Sequence, residues 1–196
     1  MVPADPSDPF VGKLQALRVR DEPGFETTKM RTGKTVTVDW VDVAEPDPDE
    51  DTVRSQAQAA GAAVVARGEG IWFADGAVYV CATAGGPEDA GQVFRLIDGD
   101  DATLEVVVES TDTDVLDMPD NIVIAPWGQL FMAEDGGGHQ YVRALDDNGE
   151  VIDFGRNAMS WGELAGVCFS PDGKAMFVNL FQDGLTLAIT GPFPGA

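Results

Sequence analysis

A β-propeller is the fold class this sequence predicts, and three observations predict it. A strand–turn–strand unit recurs three times in order along the chain. Its matched positions, Gly70, Asn121 and Gly166, stand 51 and 45 residues apart, close to the ~40–50-residue spacing of propeller blades. Further strand-like pieces lie between the copies, as a blade of four strands requires. A β-sandwich would give turns as frequent, but not three alignable copies of one hairpin.

The first 60 residues match the repeat poorly and are expected to form an N-terminal flank, with the blades in residues 61–196. In that flank Val36, Val38 and Trp40 alternate with Thr35, Thr37 and Asp39, which predicts a strand over 34–43. An acidic, proline-broken loop follows from Glu45 to Asp51. Its carboxylates favour the N-terminus of a short helix over Thr52 to Ala60, which Gly61 ends.

The three hairpins run from Glu69 to Val80, from Asp120 to Met132 and from Ala165 to Val178. Gly76, Gly128 and Gly173 close their turns, where a positive φ is needed. Gln92 to Ile97, Leu104 to Val108 and Gln140 to Leu145 supply additional strands. Trp72, Phe73, Trp127, Phe131, Phe169 and Phe177 fall on strand positions of the repeat and are expected between blades. At this spacing 196 residues make about four blades at most. Three blades and a preceding strand do not easily close a ring.

Composition narrows the function. The 34 acidic residues against 12 basic ones give a formal charge of −22. Such a field repels phosphate backbones and anionic lipid headgroups, so nucleic acid and membrane surfaces are not expected partners. It suits divalent cations or a salty extracellular setting, and it equally suits plain solvation. No apolar run approaches the ~18 residues of a membrane helix, and Met1 to Pro6 lacks the features of a signal peptide. Cys81 and Cys168 sit in apolar runs and are expected as buried free thiols. His139 is the single histidine, which excludes multi-histidine metal sites and leaves mainly oxygen ligands for any metal.

Several motifs taken in order resemble the PhoX-type alkaline phosphatase family. They are Arg67-Gly68-Glu69-Gly70-Ile71-Trp72, Pro119-Asp120-Asn121, Pro126-Trp127-Gly128 and Glu134-Asp135-Gly136. Arg156-Asn157, Glu163-Leu164-Ala165-Gly166, Phe169-Ser170-Pro171-Asp172-Gly173, Phe177-Val178-Asn179 and Ile189-Thr190-Gly191-Pro192-Phe193 continue the series. The first of these is similar to a less characterised branch of the family. The resemblance implies a six-bladed propeller exported by the twin-arginine route, of which this chain would be the C-terminal three to four blades. It also implies an extracellular or periplasmic place, calcium and ferric iron held by carboxylates and one cysteine, and hydrolysis of small-molecule phosphate monoesters. A Cys-Glu-Glu motif of that family has no counterpart here, since neither Cys81 nor Cys168 precedes a glutamate. The chain is therefore expected to be part of a longer protein and inactive alone.

With that resemblance, Glu69, Asp120, Glu134 and Glu163 become the candidate metal ligands and Arg156 the candidate phosphate clamp. Glu69 lies between Gly68 and Gly70, which leaves room for a hard cation, though a solvated loop acid would look the same. Asp120 serves equally as a ligand or an Asx turn, and Asn121 reads as the turn. Glu134 and Asp135 are adjacent carboxylates running into Gly136-Gly137-Gly138, with Glu134 the favoured ligand and His139 a loop residue. A guanidinium at Arg156 could grip phosphate bidentately or form an ordinary surface ion pair. Asn179 is a weaker candidate. Two other readings stand beside this one: a lactonase or esterase propeller with a single divalent ion, and a non-catalytic, calcium-stabilised interaction propeller.

Overall fold

The computed structural model describes residues 2–5 and 7–194; the opening six residues, read above for a signal peptide, lie in part outside the described ones. Strands β1 (Val2–Asp5) and β2 (Asp8–Lys13) form a separate hairpin. After them come β3 (Gln15–Val19), β4 (Thr35–Asp42) and the short helix α1 (Val53–Ala59). The expected flank strand and helix are thus found to within a residue or so of their predicted ends.

Three antiparallel blades follow. Blade A comprises β5 (Gly68–Ala74), β6 (Ala77–Ala82), β7 (Gln92–Ile97) and β8 (Thr103–Glu109). Blade B comprises β9 (Pro119–Ile124), β10 (Leu130–Glu134), β11 (Tyr141–Leu145) and β12 (Val151–Arg156). Blade C has three strands, β13 (Leu164–Phe169), β14 (Ala175–Leu180) and β15 (Leu185–Thr190). Each blade's first strand is the inner one, and β9 packs between β5 and β13. This is the β-propeller arrangement, here in a partial set of blades.

Packing explains why the central blade reads so apolar. Ile122 and Ile124 face blade A, in one core with Cys81, Val93, Leu130 and Met132. Val123 and Ala125 face blade C, in a second core with Phe131, Val142, Met176 and Val178. A strand buried on both faces has no polar side to show, so β9 and β10 carry short continuous apolar runs. Trp127 closes the second core at the turn end, 4.9 Å centroid to centroid from Phe169 and 5.6 Å from Phe193.

Two features depart from the sequence expectations. The flank carries more than one strand, and it joins blade A: Thr35, Val36 and Thr37 of β4 pair with Glu105, Leu104 and Thr103 of β8. Val19, Met30 and Val38 then pack on Phe94, Leu96 and Val106, covering part of the blade A face that points away from blade B. In addition, Trp72, Phe73 and Phe177 are not interior; Phe73 is 69% exposed and the other two 37% each. Phe73 shares its face with Val78, its partner on β6, away from blade B. Phe177 lies with Cys168 on the outer face of blade C, because Met176 and Val178 take the inner one. Terminal blades lack a neighbour on one side within this chain, so the repeat positions that are core in blade B are open in A and C.

Candidate metal centre

The three hairpin turns are built alike, with Gly76, Gly128 and Gly173 at φ of 76°, 90° and 70°. At the opposite end of each hairpin the inner strand holds one residue too many for its partner. In blade A, Gly68 pairs Ala82 and Ile71 pairs Val80; in blade B, Pro119 pairs Glu134 and Asn121 pairs Ala133; in blade C, Ala165 pairs Asn179 and Cys168 pairs Phe177. These are β-bulges, which bend a strand and re-aim its side chains. They fall at or directly beside the matched positions Gly70, Asn121 and Gly166, which explains the repeat in physical terms. Backbone hydrogen bonds repeat too: the N–H groups of Thr83, Asp135 and Phe181 donate to the carbonyls of Arg67, Met118 and Glu163, each at 3.0 Å.

Gly70 is glycine because β5 and β9 approach closely there. A Cβ at that position would stand 2.9 Å from both the Asn121 Cα and the Asp120 carbonyl oxygen. Neither neighbour is a flexible side-chain tip. Gly70→Ala is therefore expected to push the inner strands apart and to cost about 1–3 kcal/mol in a urea unfolding experiment. A loss below about 0.5 kcal/mol, the scatter of neutral surface changes, would contradict the close approach.

Bulge geometry places Glu69 and Asp120 at equivalent points of β5 and β9. Glu163 stands two residues earlier in its repeat, at the position occupied by Arg67 in blade A and Met118 in blade B. Arg67 and Met118 both hold a left-handed backbone, at φ of 50°, a conformation that costs a non-glycine residue energy and clusters at functional sites. Asp135, from the far end of β10, completes the group. Burial first, then the charges of Glu69 and Asp135, push the Asp120 carboxyl above the ordinary carboxylate range, while Arg67 pulls it down. Burial first, then Asp135, Asp120 and Glu69, push Glu163 the same way. Glu69 and Asp135 thus both act on Asp120 and on Glu163 across the inner strands.

Glu134, the favoured member of the adjacent pair, is used otherwise. It is 1% exposed. Its Oε1 accepts from Arg143 Nε at 2.7 Å and from the Asp117 N–H at 3.0 Å, and its Oε2 accepts from the Tyr141 N–H at 3.0 Å. Strand alternation makes this inevitable, since two consecutive residues leave a sheet on opposite faces. Arg156 ends β12, the outermost strand of blade B, and lines an apolar groove with Met159 and Leu187. Arg67 is the cation whose charge reaches Asp120; its place one residue before Gly68-Glu69-Gly70 was the available signal. Asn157 is buried and organises its own loop, accepting from the Met159 and Ser160 N–H groups and donating to the Gly162 carbonyl. Asn179 accepts from the Thr186 hydroxyl at 2.7 Å.

Oxygen donors of this kind suit hard cations such as calcium. The Asn121 side-chain oxygen, beside Asp120, is buried without a hydrogen-bond partner and is a further donor of the right type. Among the described residues, no three His, Cys, Asp or Glu side chains lie close enough together to hold one ion. The donor chemistry fits, and the ligand number from these residues alone falls short. Cys81 does not add to it. Its Sγ donates to the Asp120 carbonyl at 3.1 Å, tying β6 to β9, and burial pushes the thiol up to about 12, so it stays protonated at neutral pH. No helix among the described residues is long and apolar enough to cross a membrane.

A family model for the alkaline phosphatase PhoX matches residues 10–184. Among solved structures, Pseudomonas fluorescens PhoX in complex with vanadate, a transition state analogue, is similar over 85% of this chain and 38% of its own, with 18% identity and a TM-score of 0.60. A catalytically inactive virginiamycin B lyase from Staphylococcus aureus with quinupristin covers 84% of this chain and 51% of its own, at 13% identity and a TM-score of 0.46. A putative 6-phosphogluconolactonase from Bacteroides uniformis covers 94% and 51%, at 17% identity and a TM-score of 0.44. The chain therefore spans about two fifths of the PhoX structure and about half of the other two. No curated protein sequence matches it. Matched over residues 10–184 and built from blades like those of the Pseudomonas enzyme, the chain belongs to the PhoX alkaline phosphatase family.

Proposed function

We propose that this chain forms the acidic wall of a metal-dependent phosphate monoester hydrolase site, outside the cytoplasm, with calcium and iron as the metals. The observation that carries the reading is the placement of Asp120 and Glu163 at the inner strand ends, both pushed above the ordinary carboxylate range by burial and by the charges of Glu69 and Asp135, with Arg67 beside Asp120. Asp120 and Glu163 lose water and face the charges of Glu69 and Asp135, a cost that a bound cation offsets. Glu69, Asp120 and Glu163, with Asp135, would hold the cations through oxygen, and ligands from outside these residues would complete the shell. Bound cations would supply charge neutralisation for the phosphoryl oxygens and activation of the attacking oxygen. Arg67 would bind and orient the phosphate through its fork of N–H donors. Glu134 would act at one remove, fixing the turn into Asp135 through the Asp117 and Tyr141 N–H groups. Vanadate in the related Pseudomonas structure supports a phosphoryl-transfer reading of the fold's site.

The test is metal content together with anion binding. After loading with iron and calcium, the protein is expected to retain both, to bind vanadate only when loaded, and to lose at least tenfold in vanadate affinity on Arg67→Met. Asp120→Asn should weaken calcium binding at least tenfold. Turnover of p-nitrophenyl phosphate by this chain alone is expected to be low, because its own ligand set is short. A protein that takes up no metal and no vanadate would overturn the proposal. Retention of a single divalent ion with lactone hydrolysis would assign a lactonase instead, and calcium without anion binding a non-catalytic scaffold.

A further inference from the structure

A second pocket opens at the same end of blade B, radially outward from the acidic group. Three loops form it: the one leading into β9, the glycine-rich turn from β10 to β11, and the one from β12 to β13. Its volume is about 360 Å³, with Asp114, Asp117, His139, Tyr141 and Trp161 around it and Arg143 at its base. The phosphatase reading uses none of these residues as ligands.

Local construction fixes the pocket's character. Gln140, itself buried, donates to the carbonyls of Gly136 and Gly138 and accepts from the Gly136 N–H, so the glycine turn is held in place. Asp117 accepts the Gly137 N–H at 2.8 Å. The Trp161 ring rests 5.0 Å from His139, centroid to centroid, and is still 70% exposed. Arg143 does not make the pocket basic. Its guanidinium is paired with Glu134 and Asp153, donates to the Asp114 carbonyl, and covers the Tyr141 ring at 3.9 Å. One positive charge is set against Glu134, Asp153, Asp114 and Asp117, so the pocket is negative on balance.

We propose that this pocket binds an organic ammonium group, of the size and chemistry of choline. An anion would face carboxylates. A hydrated divalent ion would need several oxygen ligands in exchange for its water, and ring faces offer none. A quaternary ammonium holds water weakly, and it gains from the electron-rich face of an exposed tryptophan with carboxylates nearby. Trp161 supplies the face and Asp114 and Asp117 the charge.

Isothermal titration of choline, and separately of tetramethylammonium, into the metal-free protein in chelator tests this independently of any phosphatase activity. Saturable binding is expected in the millimolar range or tighter, with sodium and potassium chloride at equal ionic strength giving none. Trp161→Ala should weaken it at least tenfold and Asp114→Asn several-fold, while Trp161→Phe, which keeps an aromatic face, should retain most of it. Trp161 is largely exposed, so its variants are expected to fold, and circular dichroism verifies that. No saturable heat with the wild type, or equal affinity in Trp161→Ala, would overturn the proposal. Failure of the metal site would leave this result unchanged.

Discussion

Arg143→Met is expected to destabilise the protein by about 3–5 kcal/mol, the range for removing one partner of a buried ion pair. Both partners are buried: Arg143 is 3% exposed and Glu134 1%. Methionine fills much of the arginine stem but leaves the Glu134 carboxylate facing its two backbone donors without a counter-charge. Burial already pushes that carboxyl above its ordinary range, and Arg143 is the first of the groups that pull it back. The same guanidinium reaches Asp153 on β12 and the Asp114 carbonyl, so its loss also frees the loop that enters β9. Glu134→Gln in the Arg143→Met background should recover part of the loss, because the amide oxygen still accepts the Asp117 and Tyr141 N–H groups without a charge to bury. Urea midpoints of the single and double variants measure both effects. A loss under about 1 kcal/mol for Arg143→Met, the level of an exposed pair, would show that this network does not hold the blade together.

How far the sequence leads is visible in this network. Hairpins and their glycine turns are local, and residues 68–82, 119–134 and 164–180 fold as their pattern demands. The matched Gly70, Asn121 and Gly166 carry more than a turn signal, since they mark bulges that aim Glu69 and Asp120 toward the inner ends. Choosing between Glu134 and Asp135 required knowing on which face each leaves the sheet, and a bulge one residue away sets that register. Arg143 stands nine residues from Glu134 along the chain, one strand over, and nothing local announces the pair. Arg156 looked well placed because of its neighbours in sequence, but the fourth strand of a blade is its outermost. The pairing of β4 with β8 closes across about 70 residues, a contact that alternation alone cannot specify. Composition did indicate the electrostatic character of the site: the excess of acid is distributed, and only a few of its members are drawn together at the inner strands.

Without divalent cations, stability is expected to fall as the pH rises above the ordinary carboxylate range, and millimolar calcium is expected to reverse that fall. The sign follows from the acids whose folded forms hold protons more tightly than the unfolded chain does, Asp120 and Glu163 at the site and Glu134 beside Arg143. Asp120 and Glu163 are both raised, by burial first and by their carboxylate neighbours next. Between the unfolded value and the raised one, the native state binds more protons, so each step up in pH favours unfolding. A second set works in the opposite sense and in a different window. Asp39, lowered chiefly by Arg18, Asp42, lowered chiefly by Lys13, and Asp172, lowered chiefly by Ser170, stabilise the fold at higher pH and lose that contribution only as the pH falls below the ordinary range. Metal-free protein should therefore be most stable between the two windows, on the acid side of neutrality. Overall repulsion at a formal charge of −22 acts in the same direction as the raised acids, so the variant comparison is what isolates the site. Asp120→Asn should raise the melting temperature in chelator at neutral pH and flatten its fall with pH, because it removes a half-buried charge that faces other carboxylates. The same variant should lose most of the calcium response, which in the wild type grows with mass action, by about 2.7 kcal/mol when calcium is a hundredfold above its dissociation constant. Stability in chelator that rises steadily from pH 5 to 8, or a melting temperature indifferent to calcium, would show that these carboxylates are separately solvated and that no cation is shared among them.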